Sequence, residues 1–220
     1  MNMTKKVKVK ICGIKTFEAA QTAFDEGADF LGFNFVPNSK RFIKPELAKE
    51  MIKRLSNSTI IVGVFMNEDS YKVNRLIDYL GLDFVQLHGN ESPKYIESIK
   101  NAGIIKTFPL PAQFNIEKTI KNFKKYKVDY FLLDREKQGK GELLDPDKVH
   151  QLTAIFPIIL AGGLTIENVA DVVHSARPQV VDVAGGVESN GKKDRLKIKK
   201  FINEIHLHGS IDESKALYVE

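Results

Sequence analysis

The chain has 220 residues, 43% hydrophobic and 28% charged, with a formal net charge of +5 and a pI near 9.1. This is an ordinary globular composition, of a length that suits one barrel-sized domain, and no apolar run reaches the ~18 residues needed to span a bilayer. A single cysteine excludes an internal disulfide framework and any cysteine-rich metal site.

The segment Met1-Asn2-Met3-Thr4-Lys5-Lys6 leads straight into a strand rather than a signal peptide, so a cytoplasmic protein with no membrane partner is expected. The lysines cluster at Lys5–Lys10, Lys121–Lys127 and Lys192–Lys200. In the last two clusters apolar residues intervene (Phe123, Tyr126, Leu196, Ile198, Phe201), which reads as solvated helix faces. No nucleic-acid partner is expected. A diffuse positive field would instead help attract a small anionic substrate.

In chain order, Val7 to Gly13 reads as the first strand, and Thr16 caps a helix that stops at Gly27. Asp29 to Phe35 is the second strand, followed by a polar loop and a helix starting at Pro45. The third strand is Ile60 to Phe65, with a helix from Ser70 to Leu80 ending at Gly81. Phe84 to Gly89 is the fourth strand, and Pro93 opens a helix that ends near Gly103. Ile104 to Phe108 and a helix over Asn115–Tyr126 make the fifth unit. Tyr130 to Asp134, a glycine-bearing loop and a helix from Pro146 to Ile155 make the sixth. Ile158 to Ala161 then meets the Gly162-Gly163 turn and a helix opening at Thr165. Val180 to Val183 runs into Ala184-Gly185-Gly186, and Asp194 caps a basic helix to about Glu204. The tail, Ile205 to Glu220, carries no clear signal.

Eight apolar strands alternating with eight helical patterns across short turns predict an α/β protein, a single-domain (βα)8 TIM barrel with its core over about 7–204. A doubly wound open sheet is the alternative, weakened for a dinucleotide binder because no G-x-G-x-x-G follows the first strand. In a barrel, the loops after strands seven and eight are the usual phosphate site, so the uncovered backbone N–H groups of the two small-residue turns after Ala161 and Val183 are expected to favour an anion.

Polar residues at carboxyl strand ends converge on one site in this fold. Here they are Cys12, Asn34, His88, Asp134 and Asp182, with Arg41 in the second loop. Cys12 is either a small buried hydrophobe or a thiolate base. Asp134 follows four apolar or aromatic residues, so burial would raise its pKa as a general acid requires; the alternative is an acid paired with Arg135 or capping the loop. Arg41 suits a bidentate grip on a carboxylate. His88 has no second histidine or carboxylate at ligand spacing, so no metal is expected.

The ordered set Lys10-Ile11-Cys12-Gly13, Val62-Gly63-Val64-Phe65, Gln86-Leu87-His88-Gly89, Leu132-Leu133-Asp134, Leu160-Ala161-Gly162-Gly163-Leu164 with Asn168, Asp182-Val183, Gly186-Val187-Glu188 and Gly191-Lys192-Lys193-Asp194 resembles the phosphoribosylanthranilate isomerases of tryptophan biosynthesis, from about Val7 to Ile202. The resemblance implies a cofactor-free Amadori rearrangement of a phosphosugar, N-(5-phosphoribosyl)anthranilate, by a monomer or homodimer. It makes Asp134 the general acid, Cys12 the general base, and Arg41 the holder of the anthranilate carboxylate. His88 and Asp182 line the site, and Gly162, Gly163, Ala184 and Gly185 donate N–H groups to the phosphate.

Three departures bear on substrate affinity and loop closure: Lys40 where the family has proline, Gln138-Gly139-Lys140-Gly141 where it has Gly-Gly-Thr-Gly, and Ala184-Gly185 where it has two serines. A paralogous barrel acting on, or only binding, another phosphosugar is the second reading. Retention of both Cys12 and Asp134 argues against binding alone.

Overall fold

The computed structural model describes residues 4–55, 59–136, 143–208 and 210–212. Eight parallel strands close a barrel: β1 (Lys8–Cys12), β2 (Phe30–Asn34), β3 (Ile60–Phe65), β4 (Phe84–Leu87), β5 (Gly103–Leu110), β6 (Tyr130–Arg135), β7 (Ile158–Leu160) and β8 (Val180–Val183). Each pairs with the next, and β8 closes on β1 with Asp182 opposite Lys10. The crossovers carry α1 (Phe17–Asp25), α2 (Pro45–Ile52), α3 (Ser70–Leu80), α4 (Pro93–Ile96), α5 (Ile116–Phe123), α6 (Pro146–Thr153) and α7 (Val169–Ala176), and α8 (Arg195–His208) follows β8. The (βα)8 expectation holds.

Alternation along the strands builds two cores. Phe30, Val62, Ile105, Leu132, Ile159, Ala161 and Val180 pack with one another inside the barrel. Residues of the opposite strand faces, such as Leu31, Phe65 and Val181, pack under the helices. Phe30, Phe84 and Tyr130, the first residues of β2, β4 and β6, close the amino end with ring centroids 6.1, 6.3 and 6.0 Å apart. Filling that end leaves the carboxyl rim as the place for chemistry.

Strand starts are fixed by a repeated device. The residue before each even-numbered strand accepts a backbone N–H from the strand before it. Asp29 takes that of Val9 at 2.8 Å, Asp83 that of Ile61 at 2.7 Å, Asp129 that of Ile104 at 2.7 Å and Gln179 that of Ile158 at 2.6 Å. Amides that the ladder would leave unpaired are thereby satisfied.

The expected boundaries of α3 hold, with Asp69 as N-cap and Gly81 left-handed at φ 70°. Other elements depart from expectation. The Pro93 helix is one turn long; beyond Ile96 the chain continues in tight i→i+3 turns through Ser98 and Ile99 and reverses at Asn101, φ 62°. The helix expected at Thr165 starts at Val169, because the Asn168 carboxamide accepts the Thr165 N–H at 2.8 Å and donates to the Gly163 carbonyl at 3.0 Å. Those bonds hold residues 163–168 as a capped loop. The basic helix continues beyond Glu204 to His208, burying Ile205. The tail then adds a strand, Ser210–Asp212, antiparallel to Thr4–Lys6. A further hairpin, Glu188–Ser189 with Lys192–Lys193, lies between β8 and α8. The Gln138-Gly139-Lys140-Gly141 departure lies outside the described residues. No helix among the described residues is long and apolar enough to cross a membrane.

Candidate active site

Lys10 and Cys12 are two apart on β1 and so face the same way, into the barrel. Lys10 has no exposed surface, and its ammonium donates to Asp182 Oδ1 at 3.0 Å across the β1–β8 seam. Burial pulls the ammonium down, but the Asp182 carboxylate and the neighbouring thiol overcome it and hold it above the ordinary lysine value. Burial pushes the Cys12 thiol up; Lys10 and Lys193 draw it back while Asp182 opposes them, and the balance stays above the ordinary thiol. Gly32 leaves the sulfur room, since a Cβ there would lie 2.9 Å from Sγ.

Across the mouth, His88 follows β4 and Asp134 ends the apolar run of β6. Their side chains approach to 3.7 Å, Nε2 to Oδ2. The buried Gln86 amide donates to His88 Nδ1 at 3.2 Å, which leaves the ring proton on Nε2, facing the carboxylate. Burial depresses the imidazole, with Asp134 and Asp182 raising it and Lys10 and Lys106 lowering it. Burial likewise raises the Asp134 carboxyl, against the opposing pulls of His88 and the Arg135 backbone N–H, which donates to Oδ1 at 2.7 Å. The pairing envisaged with Arg135 is thus a bond to its backbone. The Arg135 guanidinium packs against Gly163, and its charge also draws the Asp134 carboxyl down.

The two expected phosphate loops stand side by side. Gly162 and Gly163 have φ 88° and 82°, which side-chain-bearing residues rarely adopt. Gly186 is pressed onto the Leu164 carbonyl, so the loop after β8 docks directly on the loop after β7. Gly162, Gly163, Ala184 and Gly185 therefore gather on one side of the rim.

Arg41 lies over the Gly13 turn, where any Cβ would collide with its Cδ. Its fork is engaged within the chain: Nε donates to Glu188 Oε1 at 2.7 Å and Nη2 to Oε2 at 2.8 Å. The turn that lost the family's proline at Lys40 is held by Ser39, whose hydroxyl accepts the Arg41 N–H at 3.1 Å. Asn34 spends its carboxamide on its own loop, accepting from Val36 N at 2.8 Å.

Lys10, Gln86, Glu188 and Lys193 also stand at this rim, beyond the residues that strand-end position nominates. Lys10, Lys193 and Glu188 sit inside motifs that carry the family resemblance; Lys193 falls in a cluster that reads as a solvated helix face, and Lys10 alternates with apolar residues in the first strand. Both lysines are buried, at 0% and 4% side-chain exposure, because each faces a carboxylate. The available signal was a lysine two residues before Cys12, hence on its inward face. Gln86 stands in the same relation to His88.

A closed parallel barrel with its ionisable groups gathered on the carboxyl rim defines a (βα)8-barrel enzyme. A family model described as N-(5'phosphoribosyl)anthranilate (PRA) isomerase matches residues 9–204. Among curated relatives, the N-(5'-phosphoribosyl)anthranilate isomerase of Bacillus cereus (strain B4264) is 41% identical over 207 residues, covering 89% of this chain and 96% of the relative. That of Geobacter sp. (strain M21) is 41% identical over 202 residues, covering 90% and 97%. Of solved structures, the Thermotoga maritima phosphoribosyl anthranilate isomerase superposes with a TM-score of 0.83 at 36% identity, covering 91% of this chain and 98% of its own. A second, in complex with reduced 1-(o-carboxyphenylamino)-1-deoxyribulose 5-phosphate, gives 0.81 at 35% identity, again covering 91% and 98%. The chain belongs to the phosphoribosylanthranilate isomerase family.

Proposed function

We propose that this protein carries out the isomerase step of tryptophan biosynthesis, converting N-(5-phosphoribosyl)anthranilate to 1-(2-carboxyphenylamino)-1-deoxyribulose 5-phosphate, with Asp134 as general acid and Cys12 as general base. The observation that carries the reading is a carboxyl and a thiol facing one rim: burial raises the Asp134 carboxyl, and the Cys12 thiol lies against the buried Lys10 ammonium, which draws it down.

Asp134 gives its proton to the ribose ring oxygen as the C1–O bond breaks, and the nitrogen lone pair forms the C1=N bond of a protonated Schiff base. The Cys12 thiolate then removes the C2 proton; the C–H pair becomes the C1=C2 bond of an enolamine, which ketonises at C2. Lys10 stabilises the thiolate by charge. The neutral His88, its Nε2–H towards Asp134, steadies the carboxylate left after proton transfer.

Arg41 grips the anthranilate carboxylate, and the N–H groups of Gly162, Gly163, Ala184 and Gly185 grip the phosphate, with Asp182 lining the floor. Holding both ends fixes C1 and C2 between acid and base, which removes much of the entropic part of the barrier.

The reading is tested by introducing the gene into a tryptophan auxotroph that lacks this isomerase. Growth without tryptophan is expected from the parent and not from Cys12→Ser or Asp134→Asn. Failure of a well-expressed parent to restore growth would assign the barrel to another phosphosugar.

A further inference from the structure

The hairpin between β8 and α8 holds the remaining charged groups of the rim. Asn190 and Gly191 turn it tightly, with φ 52° and 74°, and the strand register sets Glu188 directly opposite Lys193. The hairpin is tied to α8: Asp194 caps that helix through the N–H groups of Leu196 and Lys197, and Lys197 Nζ donates to the Glu188 carbonyl at 2.9 Å. A glutamate on such a platform has little freedom.

Glu188, only 12% exposed, accepts three charged bonds: two from Arg41, and one from Lys193 Nζ at 2.9 Å. Lys193 also donates to the Ala184 carbonyl at 2.8 Å. The same ammonium that pins Glu188 thus braces the expected phosphate loop. Arg41 Nη2 reaches over that loop, 3.4 Å from where a side chain at Gly185 would begin.

A guanidinium has two edges able to hold a carboxylate: the side edge, Nε with Nη2, and the end edge, Nη1 with Nη2. Glu188 occupies the side edge. We propose that Glu188 is a positioning residue for substrate recognition, holding Arg41 by its side edge so that the end edge is set for the substrate's aryl carboxylate, with Lys193 fixing Glu188 and tying this grip to the phosphate loop. This rests on the reading of Arg41 as the carboxylate grip. The rim cluster carries two cations and one anion, a net +1. Simple charge attraction says that removing Glu188, giving +2, tightens binding of any anion; positioning says that discrimination for the carboxylate is lost.

The experiment uses two probes, reduced 1-(o-carboxyphenylamino)-1-deoxyribulose 5-phosphate and the same molecule without the ring carboxylate, with Kd measured by calorimetry. The ratio of the two affinities divides out general damage, since both probes share the sugar and the phosphate. The parent is expected to prefer the carboxylate probe about 10-fold or more, and Arg41→Met to abolish that preference. Glu188→Gln, which keeps shape and removes charge, is expected to reduce it to within about 3-fold while the carboxylate-free probe binds as to the parent. If Arg41→Met abolishes the preference and Glu188→Gln keeps or increases it, the positioning inference is wrong and the reading of Arg41 stands. If Arg41→Met keeps the preference, the reading of Arg41 fails as well. Should Glu188→Gln not fold, Glu188→Asp takes its place: it keeps the charge but shortens the arm, and an undiminished preference there also overturns the proposal.

Discussion

Lys10 allows the account of the thiol to be separated from the account of the fold. Its ammonium and the Asp182 carboxylate are 3.0 Å apart, with 0% and 8% side-chain exposure. Lys10→Met leaves Asp182 charged and unpaired in the barrel, a loss of about 3–5 kcal/mol for a broken buried pair. At about 2–3 kcal/mol per M, the urea midpoint falls by roughly 1–2.5 M. Lys10→Met/Asp182→Leu removes both charges and fills the space, so stability returns close to the parent. The thiol does not return with it. Lys10 lowers the Cys12 pKa more than Asp182 raises it, so losing both leaves the thiol higher than in the parent. The assay is the iodoacetamide alkylation rate of Cys12, the sole cysteine, from pH 7 to 10. The double variant is expected to unfold like the parent and to alkylate with its midpoint at higher pH. A double variant with the parental alkylation profile would refute the reasoning, since the ammonium would then not be acting on the sulfur.

If the proposed roles hold, activity needs Asp134 protonated and Cys12 ionised, and the product of the two fractions is flat between their pKa values; kcat/KM should form a plateau, falling below the Asp134 pKa as thiolate is lost and above the Cys12 pKa as protonated acid is lost. A narrow bell centred near pH 7 would contradict that assignment. Gly163→Pro removes an N–H donor at a position with φ 82°, which the proline ring cannot adopt, so inhibition by inorganic phosphate should weaken sharply in any folded product; parental phosphate inhibition would move the anion elsewhere. Asp83→Ala strips the acceptor from the Ile61 N–H, 2.7 Å away, and should lower unfolding stability by about 1–3 kcal/mol with kcat unchanged. Burial would raise the Glu188 carboxyl, but Arg41 and Lys193 hold it at about 2 against an ordinary 4.5, so its stabilisation is complete above pH 4.5 and is lost as pH falls towards 2. Acid titration of unfolding stability should show Glu188→Gln losing that part of the pH dependence.

How much of this was legible in the sequence follows from what sets each feature. The strands and the longer helices are fixed by local periodicity and caps, so β3 and α3 fall where expected. Their order gives the barrel, and the barrel alone brings strand-end residues to one rim; Cys12, His88, Asp134 and Asp182 could therefore be nominated from distant positions. Side-chain partners are another matter. Arg41 and Glu188 are 147 residues apart, and nothing in either motif says that the guanidinium holds a glutamate of the same chain. Lys10 alternates with apolar residues in the first strand, a pattern that does not say whether its face is solvent or barrel interior. Its burial depends on Asp182 across the seam, 172 residues away. Loop detail fails for a related reason. The late start of α7 comes from two bonds of the Asn168 carboxamide, which compete with a helix that the sequence pattern alone supports. The clamp before the even strands was visible as the repeated pairs Asp29-Phe30, Asp83-Phe84 and Asp129-Tyr130, an acid before an aromatic at each strand start.

The central claim is that Cys12 and Asp134 work as base and acid on N-(5-phosphoribosyl)anthranilate. It is tested most directly by steady-state turnover of that substrate by the purified parent, Cys12→Ser and Asp134→Asn, with affinity for the reduced product analogue measured beside it. The parent should turn the substrate over. Each variant should lose about 100-fold or more in kcat, the range for removing a positioned acid or base, with analogue affinity within a few-fold of the parent. Parental turnover by Cys12→Ser, or loss of analogue binding in step with activity in Asp134→Asn, would contradict it.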